Sequence, residues 1–156
     1  MRVIYTILLF LVSLPVLAQT SQSVPGSITV PALLSLNVSN NTTSLNIDNL
    51  TSPKIVSGFC SINVIGNIAW EVDVSSSSAN LESETGVETI PVGLISFKKN
   101  TNANYISLAN KGQSIAVSEN DEVQSNFDVD MKIAPLNSSF AGGVYSVIIY
   151  FTLTPQ

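Results

Sequence analysis

Carboxylates, one thiol and a few aromatic rings are the side chains here that could carry chemistry. The chain of 156 residues has one cysteine and no histidine, so neither a Cys/His zinc cluster nor a histidine general base can form. Carboxylates are paired at Glu71 and Asp73, and again at Asp128 and Asp130. Such spacing is ordinary on one face of a strand, and no cluster of Trp or Tyr accompanies it to stack a sugar. We predict a protein that is not an enzyme and holds no cofactor.

The acidic residues near the second pair suggest calcium as a candidate metal, because Asp121 and Glu122 precede Asp128 and Asp130. Ca²⁺ takes six to eight oxygen ligands, and the spacing of an EF-hand is absent. Alternating Asp residues on a strand are typical of a solvated outer face. We predict no metal site and leave calcium as an open alternative.

The thiol and the tryptophan are both predicted to lie in a core. Cys60 shares a strand face with Ile62 and Val64, and no basic neighbour is evident that would lower its pKa. Trp70 shares a face with Val72, which favours a core anchor over a platform for a ligand.

Residues 1–18, MRVIYTILLFLVSLPVLA, have the organisation of a secretory signal peptide. Arg2 supplies positive charge, an apolar stretch follows, and Pro15 interrupts it before the small-residue pattern that ends at Ala18. The apolar stretch is shorter than the ~20 residues that a spanning helix needs. We predict cleavage after Ala18, a single domain over 19–156 without a membrane span, and a secreted, periplasmic or cell-surface location.

Charge and periodicity define the class of fold. Six Lys and Arg residues against eleven Asp and Glu give a net charge of −5, which argues against binding nucleic acid. Apolar and polar residues alternate with period two at 68–75 and 127–133. We predict an all-β protein, an antiparallel immunoglobulin-like β-sandwich of about eight or nine strands. Further strands are predicted at Ile28–Val38, Thr43–Asp48, Lys54–Ile65, Val92–Phe97, Tyr105–Leu108 and Gln113–Ser118, and a hairpin turn at Gly66-Asn67.

Two apolar runs, one at each end of the mature chain, are candidates for assembly. The C-terminal run after Gly143 is apolar or β-prone on both faces, which predicts one long strand that is central or covered on its second face. The N-terminal run can be the first strand of its own sandwich or a strand donated to a neighbour. The assembly and structural candidates are Trp70, Gly143, Tyr145, Val147, Ile149, Phe151, Ile28, Val30, Leu34 and Leu36.

The order of features in the second half resembles a known group of proteins. Trp-Glu-Val at 70–72, Ile-Pro-Val at 90–92, a strand at 127–133 and Phe-Ala-Gly-Gly-Val-Tyr at 140–145 follow one another. This order is similar to small secreted β-sandwich modules of bacterial surfaces: WxL-like domains, spore-coat-U-like domains and chaperone–usher pilin subunits. The resemblance implies strand pairing with other surface subunits and a periplasmic chaperone as partner. Val72 stands where the WxL motif has leucine, two positions after Trp70, so peptidoglycan binding is not implied.

The sequence favours a non-enzymatic, secreted structural or adhesive cell-surface subunit of a fimbria-like assembly. A monomeric extracytoplasmic module that binds a glycan or another ligand is the alternative, and a hydrolase that uses only carboxylates is a third. Electron microscopy of the native surface fraction separates the first two. Filaments support a subunit, whereas a monomer that retains a glycan supports a binding module.

Overall fold

A computed structural model describes residues 27–39, 45–85, 88–118 and 124–156. The predicted signal peptide, Asp121 and Glu122 lie outside the described residues. The chain divides into two compact units, residues 1–30 and 31–156, and the architecture below belongs to the second.

The regular secondary structure of the described part of that unit consists of antiparallel strands and a single 3₁₀ turn, so the all-β prediction is confirmed. The strands are β1 (Leu34–Ser39), β2 (Lys54–Gly66), β3 (Trp70–Ser76), β4 (Asn80–Ser83), β5 (Thr89–Pro91), β6 (Ile95–Lys99), β7 (Ile106–Ser107), β8 (Gln113–Ser118), β9 (Gln124–Ile133), β10 (Tyr145–Ser146) and β11 (Ile149–Pro155), with one 3₁₀ turn at Val92–Leu94. Short strands such as β4, β5, β7 and β10 bring the number above the predicted eight or nine. Residues 45–48 of the strand predicted at Thr43–Asp48 form no strand.

Two sheets pack face to face around the core. Sheet A has the strand order β1-β2-β9-β6-β7, sheet B has the order β11-β3-β8, and a small sheet C has the order β10-β4-β5. Trp70 of sheet B is 1% exposed and stacks on Phe127 of sheet A, with ring centroids 6.4 Å apart. Cys60 and Val64 are buried in the same cluster.

The first strand begins later than predicted. Strand β1 starts at Leu34, whereas Ile28 is 93% and Val30 is 72% exposed, and both lie outside any strand. Pro31 has no amide hydrogen to give to a ladder. The side chain of Asn67 instead binds the chain here, donating to the Pro31 carbonyl at 2.8 Å and accepting the Leu33 amide at 2.7 Å. The prediction of a strand from Ile28 is therefore wrong over its first six residues.

The hairpin predicted at Gly66-Asn67 is also wrong, because β2 and β3 lie in different sheets. Gly66 instead pairs with Leu34 of β1. A Cβ at position 66 would lie 2.8 Å from Leu34 Cδ1 and 3.2 Å from the Leu33 carbonyl oxygen. The glycine thus permits close approach of the chain before β1, and the chain crosses between sheets at this point.

The long C-terminal strand is divided into two. Strand β10 pairs with β4 in sheet C, and β11 pairs with β3 in sheet B. The predicted central position is wrong, because β11 is an edge strand. Its second face is not covered either, since Tyr150 on that face is 48% exposed and Ile148, just before the strand, is 60% exposed. The alternation of apolar residues continues through Val147 and Ile148, where the chain changes sheets, so the pattern alone shows no break.

Candidate functional site

One side of the sandwich is bounded by two unpaired strand edges. Strand β1 ends sheet A and β11 ends sheet B on this side, and the two strands approach each other. Among the described residues β1 pairs only with β2, and β11 pairs only with β3. In an antiparallel edge strand, alternate backbone groups point away from the ladder and are free to bind another strand. We call this side the open edge.

The inward side chains of the open edge are only half buried, although they pack against the core. They are Leu34, Leu36 and Val38 of β1, and Ile149, Phe151 and Leu153 of β11. The Phe151 ring meets Phe97 edge-on, with centroids 6.2 Å apart and planes at 78°. These residues therefore belong to the core and are incompletely covered.

The opposite side, bounded by β7 and β8, is closed. Phe97 is 0%, Leu108 2% and Ile115 2% exposed. Backbone hydrogen bonds close it: the Leu108 amide donates to the Ile95 carbonyl at 2.8 Å, and the Ser76 amide donates to the carbonyl of residue 109 at 2.9 Å. The connection from β7 to β8 thus seals this side with the protein's own chain. We call it the closed edge.

The predicted candidates are brought together only in part. Leu34, Leu36, Ile149 and Phe151 meet at the open edge, and Val147 packs on the core between β10 and β11. Trp70 is instead buried between the two sheets, where it stacks on Phe127. Ile28 and Val30 precede β1. The inward residues Val38 and Leu153 complete the open-edge cluster.

Tyr145 anchors the loop before β10. Its single hydroxyl hydrogen is shared between the Ala141 carbonyl oxygen at 2.9 Å and the more distant Glu88 Oε2 at 3.3 Å. The Ala141 amide donates to the same carboxylate oxygen at 2.9 Å. Partial burial, followed by the charge and hydrogen bond of Glu88, raises the pKa of the Tyr145 phenol. A Cβ at Gly143 would make only an ordinary contact with Tyr145 at 3.8 Å, so steric space does not require glycine there.

The paired carboxylates have separate structural partners. Glu71 accepts a hydrogen bond from the Gln156 side chain at 2.6 Å. Burial, followed by the charge of Glu71, raises the pKa of Asp73. Asp128 accepts from the Ser61 hydroxyl at 2.5 Å.

Asp130 accepts from the Gly58 amide at 3.0 Å and lies 3.7 Å from Lys98 Nζ. Gly58 lies in the bulge between Val56 and Cys60 and has a φ of 62°, a conformation that favours glycine. In the parts of the chain that the structure describes, no three His, Cys, Asp or Glu residues are grouped to hold a metal. No helix within those parts is long and apolar enough to cross a membrane.

Comparison with known protein families and with curated protein sequences finds no match. Solved structures with a similar fold include a chain from a chaperone–usher pilus, with 12% identity and a TM-score of 0.44, covering 91% of this chain and 99% of that one. Another comes from the complex of the chaperone CsuC with the tip adhesion subunit CsuE of archaic chaperone–usher Csu pili of Acinetobacter baumannii. It has 15% identity and a TM-score of 0.40, covering 78% of this chain and 39% of that one. Both TM-scores lie below 0.5, so the function of this chain has to be inferred from its own residues.

Proposed function

We propose that this protein is a non-enzymatic structural or adhesive subunit of a bacterial surface polymer, exported and then assembled by strand addition. A strand from one copy pairs with the open edge of the next. The observation that carries the proposal is the combination, on one side of the sandwich, of two free strand edges and six half-buried core side chains.

Burial of apolar area supplies the driving force. Each Å² of apolar surface removed from water contributes about 25 cal/mol, and the open-edge cluster is apolar at every inward position of β1 and at Ile149, Phe151 and Leu153 of β11. An added strand covers these side chains and also satisfies free backbone groups. Neither strand carries a charged residue, a feature that otherwise protects natural edges from pairing.

The added strand is assigned to residues 19–30 of another copy. Ile28 and Val30 alternate with Ser27 and Thr29, and both apolar side chains are exposed. The contacts of Asn67 hold the chain at Pro31 and Leu33, where the second compact unit begins. Twelve extended residues span about 40 Å at ~3.3 Å each, which is longer than the seven-residue strand β11.

A periplasmic chaperone fits the same surface before assembly. An apolar, unpaired edge invites aggregation in a newly exported subunit. A chaperone that lends a strand to the open edge would cover Phe151 and its neighbours until another subunit replaces it. Co-expression with a genome-neighbour chaperone should raise the yield of soluble subunit, and substitution of Phe151 by Asp should abolish their co-purification.

Deletion of residues 19–30 tests the assignment of the donated strand. The truncated protein should fold as a monomer, fail to form filaments, and bind a synthetic peptide of residues 19–30. At a peptide concentration about 100 times the dissociation constant, the free energy of unfolding should rise by about 2.7 kcal/mol. Chemical denaturation with and without peptide measures this change.

Matched peptides test which face of the strand is buried. Ile28→Asp with Val30→Asp should abolish binding, whereas Ser27→Asp with Thr29→Asp should preserve it, because alternate residues of a strand face opposite ways. A truncated protein that still forms filaments, or that folds and ignores the peptide, would contradict the proposed function.

A further inference from the structure

The outer face of sheet A carries two rows of polar side chains that the register of three strands brings together. Asn37, Asn63 and Asn126 are partners across β1, β2 and β9. A second row lies two residues away along each strand and is paired in the same way. It consists of Ser39, Ser61 and Asp128.

The two rows form the floor of an open concavity of about 680 Å³. The chain just after β6, at Asn100 and Thr101, borders it on one side. The Asn100 amide donates to the Asp128 carbonyl at 2.9 Å, which fixes this border to β9.

Much of the hydrogen-bonding capacity of these rows is unused. Asn63 Nδ2 donates to Asn126 Oδ1 at 2.5 Å. A side-chain amide has two N–H donors and a carbonyl with two acceptor positions. Among the described residues the Asn37 side chain makes no hydrogen bond, and the Asn63 Oδ1 and Asn126 Nδ2 atoms have no hydrogen-bond partner. Donors and acceptors therefore alternate on a rigid sheet surface.

We infer that the two rows form a binding site for a neutral saccharide. A sugar hydroxyl both donates and accepts a hydrogen bond, which matches alternating amide N–H and C=O groups. The two charged residues that line the concavity, Asp128 and Lys99, are of opposite sign. Lys99 Nζ lies 5.0 Å from the centre of the Phe127 ring, so it is already engaged. The site offers no cluster of free cations for a sulfated or carboxylated ligand.

Each site binds weakly, since no exposed aromatic ring lines the concavity to stack on a sugar. Repetition of the site compensates for weak binding, because linked sites gain avidity without any new contact. This gain rests on the proposed assembly into a polymer, whereas binding by a single subunit does not.

Nuclear magnetic resonance of the complete mature subunit, labelled with ¹⁵N and kept monomeric, tests the site independently of assembly. The probes are chitotetraose, maltotetraose and mannotetraose, with glycerol and a sulfated disaccharide as comparators. We expect at least one neutral tetrasaccharide to shift the side-chain NH₂ signals of Asn37, Asn63 and Asn126 in a saturable manner. The comparators should leave these signals unchanged at equal concentration.

Two variants on the same outer face of sheet A supply the test and its control. Asn63→Thr with Asn126→Thr should weaken binding by about tenfold or more, the equivalent of one or two hydrogen bonds. Gln124→Thr alters an outward residue of the same strand β9 that does not line the concavity, and it should leave the affinity unchanged.

The inference is overturned if none of the tetrasaccharides gives saturable shifts, if glycerol gives equal shifts, or if the sulfated sugar binds better. It is also overturned if Gln124→Thr weakens binding as much as the double variant. Shifts that depend on protein concentration alone would instead assign the face to contact with a second copy. Because the site lies on the outer face of sheet A and strand addition uses the strand edges of β1 and β11, none of these outcomes bears on strand addition at the open edge.

Discussion

The open edge and the closed edge of one sandwich are built from similar apolar side chains, yet they differ in how completely those side chains are covered. Ile115 at the closed edge is 2% exposed, whereas Ile149 at the open edge is half buried. At the closed edge the chain between β7 and β8 crosses from one sheet to the other and binds the Ser76 amide. Among the described residues no backbone hydrogen bond joins β1 to β11 at the open edge in this way.

Among the described residues the chain covers its core fully at the closed edge and only partly at the open edge. In a self-sufficient sandwich both edges would be sealed by connections or short, charged edge strands. Among the described residues β11 pairs only with β3, so the backbone groups on its other edge can accept a further strand. The missing neighbour is what the proposed assembly provides.

The largest expected effect lies between the two edges, at Trp70. Trp70→Ala should lower the free energy of unfolding by about 3–5 kcal/mol, because a large side chain that is 1% exposed is removed. The Trp70 Nε1 has no hydrogen-bond partner among the described residues, so Trp70→Phe should cost less. Urea denaturation measures both variants. A loss below 1 kcal/mol together with loss of ligand binding would move Trp70 from the core to a binding platform.

The reaction rates of two thiols, one at the centre of the core and one introduced at the open edge, compare how well these regions are covered. Burial, followed by the charge of Asp128, raises the pKa of the Cys60 thiol to about 11, and the thiolate is the reactive form. In a Cys60→Ala background, Leu36→Cys should react with a thiol reagent near neutral pH at least about 100-fold faster than Cys60 in the parent. Reaction rates measured on folded protein decide this. Equal rates would mean that the open edge is as well covered as the centre.

Two isoleucines of the same size compare the edges directly. Ile115→Ala should cost about 2–5 kcal/mol, and Ile149→Ala in the isolated subunit should cost about half as much, since its side chain is already partly in water. In the presence of the peptide of residues 19–30 the cost of Ile149→Ala should rise toward that of Ile115→Ala. Equal costs in the isolated subunit would remove the contrast between the edges.

The smallest effect is a pH dependence at the centre. The pKa of Cys60 is raised in the folded state from 9.0 to about 11, so the folded protein keeps a proton that the unfolded chain loses. The contribution of this thiol to stability is therefore constant below about pH 9 and falls between pH 9 and about 11. Cys60→Ala should remove this fall. Urea midpoints of parent and variant at about pH 8 and about pH 10.5 provide the comparison, and parallel changes in both would contradict it.

The strands of the sandwich centre could be predicted from the sequence, because alternation and burial coincide there. Strand β8 has the predicted bounds, and β3 buries every second residue from Trp70 to Ser76. The division of the C-terminal run could not be predicted, since its alternation continues while the chain leaves sheet C for sheet B. The crossing of the chain between sheets at Gly66 could not be predicted either, because Gly-Asn between two strands also fits a hairpin turn.

The functional surfaces could be predicted only where they lie within one strand. Leu34, Leu36, Ile149 and Phe151 were recognisable as apolar faces, but their meeting at the open edge depends on strand order. The row of Asn37, Asn63 and Asn126 depends on the register of three strands that are distant in sequence. The composition of each strand taken alone does not predict that these three asparagines become neighbours.

Amide hydrogen exchange on the monomeric subunit and on native filaments tests strand addition at the open edge most directly. In the monomer, the amides of β1 and β11 that point away from β2 and β3 should exchange rapidly, because they lack a partner strand. In the filament the exchange of the same amides should slow by about 100-fold or more. This is the protection expected when an added strand makes opening of the hydrogen bonds cost about 2.7 kcal/mol. The exchange of the β8 amides should change little. Equal protection of β1 and β11 in monomer and filament would contradict completion of the sandwich by another copy.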